Sequence, residues 1–196
     1  MNNVIFRPAC PQDALEIAQL TIIAGGGIFE FLLEDFVQDM SLETLLALEI
    51  KKETGIFSYV NVEVVELKDK IIGMIKSSDA KNHKGVEEMR DFLPKEKLDW
   101  LQNVLVNRIQ EGLYIHGLSV DSNYRKQGIG TKLINQVKEK ARKQQFSNIH
   151  LTVWTDNITA IEFYERQGFR EVKHIKVDFH PLMPHHGGMK LMQCFL

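Results

Sequence analysis

Two glycines, Gly128 and Gly130, lie between a basic cluster and an apolar run with helical spacing. A glycine at the start of a helix costs about 1 kcal/mol relative to alanine, which indicates that another group approaches the main chain closely. The first N–H groups of a helix lack intrahelical partners and lie at the positive end of its dipole, which favours a phosphate. An ordinary turn with solvated basic side chains is the alternative. The residues of the predicted phosphate-binding loop are Arg125, Lys126, Gln127, Gly128, Ile129, Gly130 and Thr131.

Two common nucleotide-binding patterns do not fit this loop. A Walker loop requires Gly-Lys-Ser or Gly-Lys-Thr, which the sequence lacks. A dinucleotide-binding fingerprint requires a third glycine where this chain has Leu133, together with an acidic residue closing the second strand. If the loop binds a phosphate, the ligand therefore belongs to another class.

The elements that would hold this loop alternate between strand and helix. Apolar residues recur at every fourth position from Ile129 to Ala141, which predicts a helix over 128–145. Asp156 is placed to cap a second helix, and Leu15 is expected to face the core from a helix that begins near Pro11. The other predicted elements are strands 4–7, 58–67, 71–76, 113–120, 149–155, 171–180 and 189–195, helices over 28–40, 40–50, 98–109 and 157–167, and a loop over 79–96.

Length and composition restrict the class of protein. A chain of 196 residues fits one domain, and the order of elements predicts a mixed α/β fold around one sheet. The formal net charge of −2 argues against a dominant role on nucleic acid or a membrane surface. Cys10 and Cys194 form no disulfide framework or metal-ligand spacing. With no apolar run of 18 residues and no signal-peptide pattern, we expect a cytoplasmic protein.

Two blocks of the sequence resemble the GNAT acetyltransferase superfamily. Residues 125–130, Arg-Lys-Gln-Gly-Ile-Gly, are similar to that family's Arg/Gln-x-x-Gly-x-Gly/Ala loop. Residues 157–169, which contain Asn-x-x-Ala-x-x-Phe-Tyr-x-x-x-Gly-Phe, match its second block. The resemblance implies a single domain over 1–196 with a mixed, mostly antiparallel sheet of six to seven strands, flanked by helices, whose splayed parallel pair holds acyl-CoA. Its predicted parts are an N-terminal half (1–112), an acyl-CoA-binding core (113–172) and a C-terminal hairpin (173–196).

The same resemblance implies acetyl-CoA, or another short acyl-CoA, as co-substrate, and no metal. In the family the pyrophosphate lies on the glycine loop, and the pantetheine arm lies beside the preceding strand. Leu118 and Val120 are then the main-chain binding residues of that strand, and the Val120 N–H is expected to meet the acyl oxygen. Gly117 suggests a bulge there. Asn157 is implied as a contact of the CoA arm, with hydrogen bonding at the start of its helix as the alternative.

Tyr164 occupies the position of the family's tyrosine acid, which donates to the CoA sulfur. A tyrosine has an ordinary pKa of about 10 and holds its proton at neutral pH. Its helical spacing with Ala160 and Phe163 also fits a core aromatic. Both interpretations stay open at this point.

His116 is the candidate base for deprotonating the acceptor amine. It precedes Leu118 by two positions on the predicted cofactor strand, where some members of the family carry a histidine. Tyr114 stands where those members carry a second histidine, and Thr152 stands where others carry a glutamate. A hydrogen-bonded strand histidine that only shapes the pocket is the alternative.

The acceptor is the least determined part of the prediction. His180, His185 and His186 precede Gly187 and Gly188 in a loop expected to line the acceptor pocket, with metal binding as an alternative. The acidic residues of 30–35 fit a solvated face, or attraction of a cationic amine. We expect N-acetylation of a small-molecule or peptide amine by a monomer or homodimer. The alternatives are a protein lysine or N-terminus as acceptor, or a non-catalytic acyl-CoA-binding module.

Overall fold

The chain forms strands and helices in the order expected of a mixed α/β fold. The structure is a computed structural model that describes residues 4–37, 40–82, 93–181 and 183–196. Its strands are β1 (Val4–Pro8), β2 (Val62–Leu67), β3 (Lys70–Asp79), β4 (Leu113–Val120), β5 (Asn148–Trp154), β6 (Arg170–Ile175) and β7 (Met189–Phe195). Its helices are α1 (Ala14–Gly25), α2 (Ile28–Leu33), α3 (Leu42–Ile50), α4 (Lys95–Val106), α5 (Ile129–Lys143) and α6 (Ile158–Arg166).

The sheet has the strand order β1-β2-β3-β4-β5-β7-β6. The pairs β1–β2, β2–β3, β5–β7 and β6–β7 are antiparallel. The pair β4–β5 is parallel, and its register joins Leu113 to Ile149 and Tyr114 to His150. The prediction of a mixed, mostly antiparallel sheet of six to seven strands with one parallel pair is therefore confirmed.

The chain is divided into two compact units. The first comprises Met1–Ser78 and Ile115–Val137, and the second comprises Asp79–Tyr114 and Lys138–Leu196. The division runs through β4 and α5, so each of these elements contributes residues to both units.

The core of the first unit forms where α1 and α3 pack on the β2–β3 hairpin. Ile17 of α1 and Met74 of β3 are fully buried there, together with Ile50 at the end of α3. The prediction that Leu15 faces this core is wrong, because its side chain is 49% exposed. The helix turns Ala14, Ile17 and Ala18 inward instead.

Positive-φ residues end the first helix and close the hairpin. Gly26 and Gly27 have φ of 59° and 93° between α1 and α2, a conformation that glycine adopts at little cost. Lys68 and Asp69 have φ of 51° and 59° in the two-residue turn between β2 and β3. Both central residues of a type I′ hairpin turn need positive φ, so Lys68 and Asp69 close a tight hairpin between β2 and β3.

The core of the second unit lies between α6 and the strands β5, β6 and β7. Phe169, Leu151 and Met192 are buried almost completely in it. Gly168 follows α6 with φ of 89°, and its N–H donates to Glu165 O at 2.9 Å, so a left-handed glycine ends this helix.

Several boundaries differ from the sequence prediction. The strand predicted from residue 58 begins at Val62, because Ser58 caps a 3₁₀ turn over Tyr59–Asn61 and its Oγ accepts from Val60 N at 3.3 Å. The strand predicted over 171–180 ends at Ile175. The loop predicted over 79–96 falls largely on residues 83–92, which lie outside the described residues.

In the described ranges no helix has by itself the length and apolar composition needed to cross a membrane. Pro11–Gly25 and Ile28–Phe36 meet those criteria only when taken together across a 108° bend.

Candidate functional site

The glycine loop connects the end of β4 to the start of α5 in the first unit. Lys126 and Gly128 have positive φ, 60° and 79°, so two residues of the loop adopt the left-handed conformation before the helix begins. No atom lies within 4 Å of the position that a Cβ on Gly128 would take. The main chain at Gly128 is therefore exposed on the side where a side chain would otherwise stand.

The main-chain N–H groups of this loop are available to a ligand. Lys132 N donates to Gly128 O at 3.1 Å, which is the first helical hydrogen bond of α5. Within the described part of the chain, the N–H groups of Gln127, Gly128, Ile129 and Gly130 donate to no protein acceptor. Ile129 buries its side chain in the core, so only its main chain can contact a ligand.

Arg125 holds the loop to the strand that precedes it. Its Nε donates to Val120 O at 2.9 Å. Asp121, between them, accepts from Asn123 N at 2.9 Å and pairs with Lys70 at 3.3 Å. Lys126 is exposed on the loop and Lys132 is exposed on the first turn of α5, so both add positive charge near the loop. This cradle of N–H groups and cationic side chains fits a pyrophosphate.

Glycine on β4 has a packing role that the sequence did not reveal. A Cβ at Gly117 would lie 3.3 Å from the Ala24 Cβ and 3.9 Å from the Met74 Cε. The end of α1 therefore packs directly on β4 at this point. Leu118 is half-buried and Val120 is buried beyond it. The predicted bulge at Gly117 stays a prediction.

His116 of β4 is tied to the neighbouring strand. Its Nε2 lies 2.7 Å from Ser78 Oγ of β3, within the first unit. If Ser78 donates this hydrogen bond, the Nε2 lone pair is engaged; if Ser78 accepts, Nε2 carries the proton. The tautomer thus decides which ring nitrogen can take up a proton.

Tyr164 lies on α6 in the second unit, with a side chain that is only 8% exposed. Its ring makes edge contacts with Phe163 and Phe169, at centroid distances of 5.3 and 5.6 Å. Burial raises the pKa of the Tyr164 hydroxyl above its usual value, and nearby Tyr114 adds to the increase. The phenol is therefore neutral throughout the ordinary pH range.

Tyr114 and Thr152 are joined in the second unit. Tyr114 OH lies 2.9 Å from Thr152 Oγ1, and the Arg108 guanidinium carbon lies 5.1 Å from the Tyr114 ring centroid. The position at which some family members carry a second histidine and the position at which others carry a glutamate are thus in contact here, and both are occupied by hydroxyl side chains.

Asn157 begins α6. Its Oδ1 accepts a hydrogen bond from Ala160 N at 3.2 Å, so it is the N-cap of the helix. The expectation that Asp156 caps this helix is wrong, because the Asp156 carboxylate turns to another loop. It accepts from His186 N at 2.9 Å and pairs with His185 Nδ1 at 2.7 Å.

The histidine loop is packed against the end of β5. The His185 ring stacks on Trp154 at a centroid distance of 4.9 Å, and the His186 ring stacks on Phe179 at 5.7 Å. His180 O accepts a hydrogen bond from Met183 N at 3.0 Å. Among the described residues, no three His, Cys, Asp or Glu side chains are grouped as metal ligands.

Lys76 is a candidate functional residue that the sequence analysis missed. Its side chain is buried on β3, and its Nζ lies 4.3 Å from the Phe57 ring centroid. Burial lowers the pKa of Lys76 to about 7. The available signal is a lysine that continues an apolar strand, since lysine is rarely buried without a partner. The sequence does not indicate that Phe57 is the residue in contact with it.

The predicted site residues divide between the two units. His116, Leu118, Val120 and residues 125–131 belong to the first, and Tyr164 and Asn157 belong to the second. The fold is mixed α/β, and its glycine loop presents exposed main-chain N–H groups at the start of α5. The model of the acetyltransferase (GNAT) family matches residues 28–169. The chain therefore belongs to that family.

Known proteins agree with this membership. An uncharacterised N-acetyltransferase of Methanocaldococcus jannaschii is 40% identical over 78 residues, which cover 40% of this chain and 33% of that protein. The match thus spans only a third of that relative's length. N-alpha-acetyltransferase 50 of Danio rerio is 30% identical over 131 residues, which cover 62% of this chain and 76% of that protein. A crystal structure of an N-acetyltransferase from Staphylococcus aureus Mu50 has a TM-score of 0.70 at 21% identity, covering 96% of this chain and 99% of that one.

Proposed function

We propose that this protein transfers an acetyl group from acetyl-CoA to an amine of a small molecule or peptide. The observation that carries the proposal is the main-chain cradle at Gly128, where N–H groups are unpaired and the Cβ position is open. Acetyl-CoA supplies a diphosphate for that cradle and an activated thioester for transfer. The amine attacks the thioester directly within a complex of protein, acetyl-CoA and acceptor.

The loop and strand hold the acyl donor. The N–H groups of residues 127–130 bind the pyrophosphate, and Arg125 positions the loop through its hydrogen bond to Val120 O. The main chain of Leu118 and Val120 pairs with the amide-rich arm, as an added strand would. The Val120 N–H polarises the acyl oxygen, where negative charge develops during attack.

Tyr164 acts as the acid toward the departing sulfur. Because burial keeps the phenol protonated, it is always available as a donor. An ordinary thiol has a pKa of about 8.5, well below that of this phenol, so Tyr164 stabilises the sulfur chiefly by donating a hydrogen bond. This role is proposed from the motif and from the neutral state of the side chain.

His116 is the proposed base, provided that it carries its proton on the nitrogen that faces Ser78. His116→Ala should then remove the acidic limb of the pH–rate profile. Ser78→Ala should change the tautomer balance and lower the rate less than His116→Ala does. An acidic limb that is unchanged in His116→Ala would leave His116 as a structural residue of the strand.

A second acceptor class has a specific observation in its favour. The relative that shares 30% identity is named an N-alpha-acetyltransferase, which suggests the α-amine of a polypeptide N-terminus. The α-amine of a protein N-terminus is therefore the alternative acceptor.

An acceptor screen tests the proposal. Release of free CoA is measured with a panel of small amines, amino acids, short peptides and lysine side chains, and each product is identified by mass. Acetylation of any amine, with a product heavier by one acetyl group, supports the proposed activity. Binding of acetyl-CoA without turnover of any amine in the panel would identify a non-catalytic acyl-CoA-binding module. The absence of both would reject the proposal.

A further inference from the structure

Lys76 is a buried lysine without a charged partner in the part of the chain that the structure describes. Its side chain is 4% exposed, and the contact of its ammonium group is with the Phe57 ring. Burial is the cause of the lowered pKa of Lys76, and no acidic side chain among the described residues contributes to it. Withdrawing an ammonium group from water without pairing it costs several kcal/mol, and the contact with one aromatic ring recovers only about 0.5–2 kcal/mol of that.

Other buried charge in the same unit is paired. Arg7 is held between Asp13 and Glu66, with distances of 2.7 Å to each carboxylate. Asp13 also accepts from Cys10 N at 2.8 Å. In the first unit, therefore, Arg7 and Asp13 are neutralised by ion pairing, whereas Lys76 has no described acidic partner.

The position of Lys76 on the sheet is the second observation. Side chains two residues apart on a strand share a face, which places Met74, Lys76 and Ser78 on one face of β3. Met74 lies in the core cluster with α1, and the end of α1 packs at Gly117. Lys76 and Ser78 follow along the same face, and Ser78 bonds to His116, the proposed base.

The cover over Lys76 comes from irregular chain. Phe57 follows α3 in a segment without helix or strand, whose residues 51–55 are exposed. Phe29, at the start of α2, contacts Phe57 edge-on at a centroid distance of 6.0 Å. The Phe57 ring, which lies outside the helices and strands, therefore contacts the ammonium group and is itself packed against Phe29 of α2.

We propose that Lys76 is the binding residue for a carboxylate of the acceptor, so that the acceptor is an amine that also carries a carboxylate. This inference rests on the proposed acetyl transfer and names the substrate class of that site. A carboxylate brings one negative charge, which one ammonium balances, and the Ser78 and His116 side chains lie along the same face. A phosphate dianion would need further cationic groups, which the cluster does not supply. The two phenylalanines suit an apolar part of the same acceptor.

Binding is tested first without acetyl-CoA. Protein with isotope-labelled lysine is titrated between about pH 5 and 11, and the Lys76 signal is identified by its loss in Lys76→Met. Phenylacetate at millimolar concentration is the probe, because it joins a carboxylate to an aromatic ring. An opposite charge nearby favours the protonated amine, so the probe should raise the pKa of Lys76 by about 1 unit or more. Exposed Lys52, which pairs with Glu49 at 2.6 Å, should not respond.

Turnover supplies the second test. Amino acids are compared with their carboxamides, and peptides with an acidic second residue are compared with their amide counterparts, which distinguishes a free carboxylate from a peptide side chain. Removing one member of a buried charge pair commonly costs 30-fold or more, from about 2 kcal/mol. Wild-type protein should prefer the carboxylates by about that factor in kcat/KM. Lys76→Met should lose the preference, with kcat/KM for the carboxylate falling to that for the amide, and Lys52→Met should retain it.

The two proposals fail in different ways. A Lys76 signal that ignores phenylacetate, or responds equally to inorganic phosphate, overturns the carboxylate site whether or not acetyl transfer occurs. An equal preference for carboxylate and amide in the wild-type protein does the same. A response of Lys76 to phenylacetate with no turnover on any amine would support the anion site and reject the acetyl transfer.

Discussion

The glycine loop and Lys76 belong to the same unit, but they differ in whether the fold exposes or buries the polar group. At the loop, the groups proposed to bind a ligand are main-chain N–H groups. They are available because they are exposed and donate to no described protein acceptor. At Lys76, the group is a side-chain ammonium that the fold removes from water. The N–H groups of the loop are already open to solvent, whereas burial of the Lys76 ammonium is unfavourable, and we propose that a ligand charge relieves that cost.

This difference decides how each region responds to substitution. A main-chain site has no side chain to remove, so it is broken by adding atoms at a glycine. A buried charge is removed by a neutral side chain of similar shape, and the folded state becomes more stable when that happens. The two regions therefore predict opposite changes in stability for substitutions that both impair function.

The largest effect is expected from Gly128→Val. A branched side chain at φ of 79° is strained, and its Cβ enters the open space beside the loop N–H groups. We expect affinity for acetyl-CoA to fall by at least about 100-fold, the equivalent of two lost hydrogen bonds to a charged group. Isothermal titration calorimetry with acetyl-CoA measures this change.

Gly55→Val is the matched control for that loss. Gly55 also has positive φ, 96°, and also has open space at its Cβ position, but it lies on the connection after α3. It should show similar strain in thermal unfolding and unchanged affinity for acetyl-CoA. Equal affinities in the two variants would contradict the pyrophosphate site.

The next largest effect is expected from Tyr164→Phe. Loss of one hydrogen-bond donor to a developing negative charge commonly lowers the rate by about 100-fold or more, while the ring contacts with Phe163 and Phe169 remain. Affinity for acetyl-CoA and the unfolding temperature should change little. Because burial raises the pKa of Tyr164, its deprotonation should produce no loss of wild-type rate between about pH 7 and 10. A Phe variant with full activity would remove the proposed role.

Local patterns predicted the elements around the loop closely. Strand 113–120 was predicted with the bounds that β4 has, and the helix after the loop was placed within a residue or two of α5. Both predictions depend only on the spacing of apolar residues within a single strand or helix. Leu15 was assigned to the core because it is apolar, but the direction in which α1 faces depends on strands that lie some 50 residues away.

The candidate site was predictable only where it depends on the main chain. The loop could be identified because glycine and spacing encode its geometry. Contacts such as Ser78 with His116 or Asp156 with His185 join residues 38 and 29 positions apart. Such contacts depend on strand pairing and loop packing, for which the residue types alone carry no signal. The role of Asp156 was mistaken for this reason, since a helix-start carboxylate normally caps its own helix.

Lys76→Met tests the stability side of the comparison. Replacing the buried amine with an apolar side chain of similar length should raise the free energy of unfolding by about 1–4 kcal/mol at neutral pH. With the pKa of Lys76 lowered to about 7, the folded chain loses a proton that the unfolded chain keeps until about pH 10.4. Unfolding then takes up a proton, so wild-type stability should rise between these values by up to about 1.4 kcal/mol per pH unit.

Denaturant unfolding at several pH values measures this slope. Below about pH 7 the lysine is protonated in both states, and its full destabilisation is present. Lys76→Met should lack the slope, while Lys52→Met, at an exposed ion pair, should keep it. A variant less stable than the wild type would show that the Lys76 ammonium group is already compensated in the folded protein.

The smallest expected effect is at Asn157, where a capping role and a ligand contact have to be distinguished. Asn157→Ala removes the acceptor for Ala160 N and should lower stability by about 1 kcal/mol. Asn157→Asp keeps that acceptor and the preference for a helix N-terminus but exchanges the amide for a negative charge. If Asn157 only caps α6, the Asp variant retains both wild-type stability and the KM for acetyl-CoA. If its amide also contacts the arm of acetyl-CoA, the KM rises in the Asp variant while stability is unchanged, because the two roles use different atoms of the same side chain.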